Sequence, residues 1–276
     1  MSETTLWEFR YLVLDLRDDG APGFGRAVLE PWLAERPHVL AELHEIGRPH
    51  NSVVAADPEV LYGLYAFSRL TEILLGPHQP VNDDPALLSH TYNGPWWRGP
   101  LPDPAAWAEF LALINASTVD ETAFHPFFHE IVSVVPSPDP DEPITLLAEL
   151  WPGALVGGLL IARAGVVVQA GHRALDAALG ERSALYFAWW RRNRKVTDLS
   201  HGWGGSSQWG TDFRRDYVVG DELHYNVDRR FTAAGDLSAG LPLDQRRELL
   251  RFRHSTTVDL GKDQWPYDDW LVEPRG

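Results

Sequence analysis

The sequence predicts an α+β protein, with a helix-rich N-terminal half packed on a mainly antiparallel sheet from the C-terminal half. Three observations predict it. Helix starts of the form Asp-Pro, each followed by apolar residues at helical spacing, fall in the first half at Asp57-Pro58 and Asp103-Pro104. β-Branched runs separated by glycine turns gather in the second half. Strands and helices do not alternate regularly, as a doubly wound parallel sheet would require.

Taken in order, residues 6–16 alternate loosely and are rich in aromatic and branched side chains, which predicts an opening strand. Asp18-Asp19-Gly20 and Pro22-Gly23 then mark a turn. Residues 25–46 predict helix with a break near Pro37, because proline lacks the N–H that a helix interior needs. A second helix runs from Asp57-Pro58 to about Leu75 and stops at Gly76-Pro77, and a third covers residues 105–115. Residues 131–135 predict a strand. The Pro-rich, acidic stretch 136–143 reads as a linker or as a loop between strands. One domain over 1–276 is expected, with this stretch as the candidate sub-boundary. Strands follow at 144–150, 155–163 and 166–170, and helices at 173–179 and 183–192. Residues 217–227 predict a hairpin across Gly220-Asp221, 243–253 a helix after Pro242, and a Trp-rich tail closes the chain. No internal repeat is present.

A chain of 276 residues can bury a core without a disulfide or metal staple. With no cysteine, disulfide scaffolds, thiolate metal sites and cysteine nucleophiles are excluded. Residues 1–17 lack the basic and apolar regions of a signal peptide. The longest apolar stretch, 153–161, is too short to span a bilayer. The expected protein is therefore soluble and cytoplasmic, with no membrane partner. The net charge of −15 is uneven: residues 1–150 carry 23 acidic and 7 basic side chains, the remainder 16 and 17. The simplest account is that the two halves neutralise one another, and the alternative is a partner of one sign. An acidic chain without a recognisable nucleic-acid module is not expected to bind nucleic acid.

The stretch 200–217, SHGWGGSSQWGTDFRRDY, concentrates the chemistry. Its glycines, Gly204 and Gly205 among them, let the backbone approach a ligand and form an N–H nest for an anion. Ser206, Ser207 and Gln208 add neutral hydrogen-bonding groups, and Trp203 and Trp209 can stack on a planar ligand. Arg214 and Arg215 offer guanidinium forks suited to a carboxylate or phosphate. His201 and His224 are the candidate acid/base groups, since histidine titrates near neutrality, and Asp212 is the accompanying carboxylate. The stretch is not a Walker A loop, a dinucleotide-binding glycine motif or a nucleophile elbow.

Three other features carry weaker signals. His125 and His129 are four residues apart, a spacing compatible with metal ligation, although Glu130 follows the second His and the HExxH order is not met. Glu222, His224 and Asn226 would share one face of a strand. Residues 93–100, NGPWWRGP, form a stiff aromatic loop that would serve as a lid or as a core plug.

The leading expectation is a small-molecule-binding protein, more an enzyme than a receptor, acting on an anionic or polar planar ligand by general acid/base chemistry. No cofactor is identified. The alternatives are an acidic protein-interaction module of antitoxin or immunity type, with a basic protein as partner, and a His-ligated metalloenzyme using His125 and His129.

Overall fold

The opening segment is a helix. Leu6, Phe9, Leu12, Val13 and Leu16 are buried and recur at three- and four-residue steps, the spacing of one helix face. The computed structural model accordingly opens with α1 (Glu8–Asp19) where alternation predicts a strand. Trp7, Phe9, Tyr11 and Val13 imitate a strand period, but Tyr11 is 63% exposed and does not share the buried face. The structure describes residues 4–19, 23–49, 56–80, 102–178, 182–183, 195–196, 214–229, 231–232, 242–252 and 269–276.

The other helices follow the sequence closely. A π-helical turn (Gly25–Leu29) leads into α2 (Glu30–Ala34), and α3 (Pro37–Gly47) restarts at its proline. Helix α4 (Pro58–Leu75) begins where the Asp57 carboxylate accepts from the Glu59 N–H at 3.0 Å. Helix α5 (Ala105–Leu113) has the same device, with Asp103 accepting from the Ala105 N–H at 2.8 Å. Their shared core is aromatic: Phe67 stands edge-on to Phe9 at 4.9 Å and 5.7 Å from Phe110.

The second half supplies the strands: β1 (Ser117–Thr118), β2 (His129–Pro136), β3 (Thr145–Trp151), β4 (Ala154–Val156), β5 (Leu159–Ala162) and β6 (Ala164–Ala170). After them come β7 (Arg182–Ser183), β8 (Lys195–Val196), β9 (Tyr217–Val219), β10 (Glu222–Tyr225), β11 (Phe231–Thr232), helix α6 (Leu243–Phe252) and β12 (Asp269–Pro274). Among the described residues the main sheet runs β1-β4-β5-β9-β10-β12-β11, antiparallel except for the β11–β12 pair. A second sheet runs β2-β6-β3, and β7 and β8 form a short parallel pair. The fold is thus α+β, as the sequence predicts.

Three strand-half expectations need correction. The single strand over 155–163 is a hairpin, because Gly157 adopts φ +59° and turns the chain between β4 and β5. Residues 172–174 form a turn where a helix is predicted, and Ser183 lies in β7 where the next helix is predicted. Residues 184–192, 93–100 and 201–213 lie outside the described residues. The 136–143 stretch is a loop joining β2 and β3, which flank β6 on opposite sides. It is pinned across the end of β6, where the Ser137 N–H donates to the Ala170 carbonyl at 2.9 Å and the Gly171 N–H to the Glu142 carbonyl at 2.9 Å.

Helix α3 meets the main sheet through backbone. The Gly158 N–H donates to the Gly47 carbonyl at 2.7 Å, and the Tyr217 hydroxyl donates to the Ile46 carbonyl at 2.7 Å. The open carbonyls at the end of α3 are thereby satisfied by the sheet, which fixes β9 against the helical layer.

Candidate functional site

Strand β9 is preceded by Arg214, Arg215 and Asp216, and the three side chains go to different places. Asp216 is fully buried, and among the described residues it accepts from Arg163, Arg214 and Asn226. Its Oδ2 takes Arg163 Nη2 at 3.0 Å, and its Oδ1 takes Arg214 Nε and the Asn226 backbone N–H, each at 2.8 Å. Asn226 adopts φ +56°, a left-handed conformation that asparagine tolerates, and this turns its N–H inward as β10 ends. Its Nδ2 donates to the Asp269 carbonyl at 2.7 Å, tying the site to β12. Asp269 in turn pairs with the buried Arg246 of α6.

The buried Arg163 and the partly buried Arg214 therefore share one hydrogen-bonded carboxylate. Arg163 also donates through Nε to the Pro126 and Phe127 carbonyls, at 3.0 and 2.8 Å. Arg214 donates through Nη2 to the Leu250 carbonyl. Among the described residues, Arg163 Nη1 and the Tyr225 hydroxyl are buried with no hydrogen-bond partner. Burial works against the charge on Arg163 and pulls its pKa down, with Asp216 opposing that shift. Burial pushes the Tyr225 phenol far up, helped by the Glu273 carboxylate, so the hydroxyl keeps its proton. The Tyr225 ring stands edge-on to Phe127 at 5.0 Å, with the Arg214 guanidinium 5.8 Å from its centroid. Around it lie Phe128, Leu160, Leu223, Leu250 and Leu271.

Arg215 serves a different network. Its Nε donates to Asp228 Oδ2 at 2.8 Å and its Nη1 to the Tyr217 hydroxyl at 2.9 Å. Asp228 Oδ1 also accepts from the Ala56 N–H at 2.7 Å. This chain joins the sheet to the helical half. The sequence places Arg214 and Arg215 on one anion; the structure sends them to two carboxylates, Asp216 and Asp228, both from the C-terminal half.

His224 lies on the face of β10 opposite Leu223 and Tyr225 and pairs with Glu222 at 3.0 Å. Its predicted row with Glu222 and Asn226 breaks at Asn226, which turns into the buried cluster. His125 accepts from the Phe127 N–H through Nδ1 at 3.1 Å, and His129 accepts from the His125 N–H through Nδ1 at 3.0 Å. His129 also stacks on Phe124 at 5.8 Å. Burial lowers the pKa of both imidazoles. Among the described residues no group of three or more His, Asp or Glu gathers as metal ligands would. His201, Trp203, Gly204, Gly205, Ser206, Ser207, Gln208, Trp209 and Asp212 lie outside the described residues.

Sequence reasoning passed over Arg163, Asp216 and Tyr225. A signal for Arg163 was present: it is the only charge in the apolar run 159–168. A lone charge inside two buried strands needs a partner, and it finds Asp216. Helix α4 buries polar side chains as well, Ser68, Arg69, Thr71 and Glu72.

No protein-family model, no curated protein and no solved structure matches the chain. No helix among the described residues is long and apolar enough to cross a membrane.

Proposed function

We propose that the chain binds a small anionic ligand where residues 201–213 lead into Arg214, and acts on it by general acid/base chemistry. One observation supports the binding: Arg163 and Arg214 converge on the single carboxylate of Asp216, and Arg163 Nη1 is buried without a partner among the described residues. An unsatisfied buried donor on a cation is costly, and an anion is the ligand that satisfies it best. In this reading Gly204, Gly205, Ser206, Ser207 and Gln208 line the ligand, and Trp203 and Trp209 stack against it. His201 transfers the proton and Asp212 orients it. These loop roles rest on residue chemistry alone. His224, paired with Glu222 on the other face of β10, is given no part.

The test uses the full chain, a panel of small carboxylates and inorganic phosphate. Titration calorimetry reads binding, and proton NMR of each panel member incubated with the chain reads turnover. Arg214→Gln is expected to weaken binding, and His201→Ala to stop turnover while binding remains. If folded chains carrying either change behave as the parent does, the assignment is wrong.

A further inference from the structure

We propose that His125 is an acid sensor for the Arg163–Asp216 cluster: protonation of its Nδ1 expels the Phe127 N–H and releases the turn that presents the Pro126 and Phe127 carbonyls to Arg163. The inference stands on the hydrogen-bonded cluster itself and goes beyond the ligand-binding reading.

The hydrogen bonds fix the direction of the switch. A backbone N–H can only donate, so His125 Nδ1, 3.1 Å from the Phe127 nitrogen, is the unprotonated nitrogen of a neutral ring. A second proton makes Nδ1 a donor aimed at a donor, and the fully buried Phe127 cannot turn its N–H to bulk water. His129 differs. Its Nδ1 lies 3.0 Å from the His125 nitrogen and 3.1 Å from the His125 carbonyl oxygen, so a protonated ring still has an acceptor. Of the two imidazoles, His125 is the one whose charge the turn cannot accommodate.

The turn is joined to the cluster by consecutive hydrogen bonds. Arg163 Nε donates to the Pro126 and Phe127 carbonyls at 3.0 and 2.8 Å, and its Nη2 reaches Asp216 at 3.0 Å. The Ala164 N–H donates to the Phe128 carbonyl at 2.8 Å, which ties the next residue of the strand to the same turn. Asp216 in turn accepts from the Asn226 N–H at 2.8 Å. Opening at His125 strips Arg163 of its carbonyl acceptors, and the disturbance passes through Asp216 to Asn226.

The charges around His125 set where it titrates. Burial lowers its pKa, and His129 and Arg163 act in the same direction. Glu273 of β12 and Glu121 oppose them, but both carboxylates are engaged, Glu273 with Arg251 and Glu121 with Arg275 at 2.6 Å. The ring is therefore neutral and the turn intact at neutral pH, and protonation falls below 6.5.

The test is amide hydrogen exchange of the full chain, read by NMR at a series of pH values and corrected for the intrinsic exchange rate. The Phe127 and Ala164 amides report the turn, Asn226 reports the cluster, and the buried amides of α4 give the reference. From neutral pH to below 6.5, protection at Phe127 and Asn226 is expected to fall together by up to about tenfold per pH unit, staying below that of α4. His125→Asn supplies an oxygen that accepts the same N–H without titrating, and is expected to abolish the acid loss at both amides. Acid loss that persists at Phe127 in His125→Asn would overturn the sensor. Loss at Phe127 while Asn226 holds would overturn the coupling to the cluster. Protection equal to that of α4 at every pH would mean that only global unfolding opens the turn, and would overturn the switch. Should His125→Asn fail to fold, the parent decides: the His125 ring and the Asn226 amide are expected to titrate at one midpoint, and separate midpoints would overturn the proposal.

Discussion

Asp216→Asn is the substitution whose cost follows most directly from the structure. The Asp216 side chain is fully buried and holds Arg163, Arg214 and the Asn226 N–H with its two oxygens. Asparagine keeps the shape, but one oxygen becomes an NH2 that faces a guanidinium donor, and both arginines lose their hydrogen-bonded counter-charge. Removing one member of a buried ion pair costs about 3–5 kcal/mol. Arg163, at 2% exposure, can recover no hydration, while Arg214, at 11%, recovers a little, so the loss falls toward the lower end of that range. Urea denaturation of the full chain reads it as a lower midpoint at unchanged slope. Combining the change with Arg214→Gln should cost less than the two single changes summed, because one of the stranded cations is then gone. A loss below about 1 kcal/mol, the size of an exposed pair, would refute the shared-carboxylate account, and so would strict additivity.

Other perturbations probe the frame that carries the site. Tyr217→Phe removes the hydroxyl joining Arg215 to the Ile46 carbonyl and should cost about 1–3 kcal/mol in the same assay. Gly157→Ala should cost at least about 1–2 kcal/mol of stability, since Gly157 sits at φ +59° and a Cβ there would meet the Gly47 carbonyl oxygen at 2.4 Å; a melting temperature equal to the parent's would contradict it. His125 and His129 have pKa values held by burial below their ordinary 6.5, so the unfolded chain takes up their protons first as pH falls. Their contribution to stability is therefore complete above 6.5 and is lost as pH drops from 6.5 through the lowered folded values. Urea midpoints measured across that range should fall on the acid side, and His129→Gln should flatten the slope.

The helices were legible where local chemistry decides them. Asp57-Pro58 and Asp103-Pro104 mark helix starts because proline suits the first turn and the carboxylate caps the open N–H groups. The hairpin at Gly220-Asp221 was legible for the same kind of reason, a local turn preference, and Gly220 adopts φ +59°. Helix α1 was misread because aromatic residues at Trp7, Phe9 and Tyr11 imitate a strand period that burial does not follow. β12 was missed because its charged residues find partners far along the chain: Asp269 pairs with Arg246, and Glu273 with Arg251. The site divides along the same line. Arg214 stood out by its neighbours in sequence, whereas its link to Arg163 runs through Asp216, 53 residues from Arg163. No spacing rule reveals such a contact. Asn226 read as one more polar strand residue, yet its positive φ takes it out of the strand and into the cluster.

The most direct test of the central claim is where a ligand sits. A crystal structure of the full chain grown with acetate and, separately, with inorganic phosphate should show an anion on Arg163 Nη1. Anions bound only at exposed arginines, with Arg163 Nη1 satisfied by other groups of the chain or by ordered water, would contradict it.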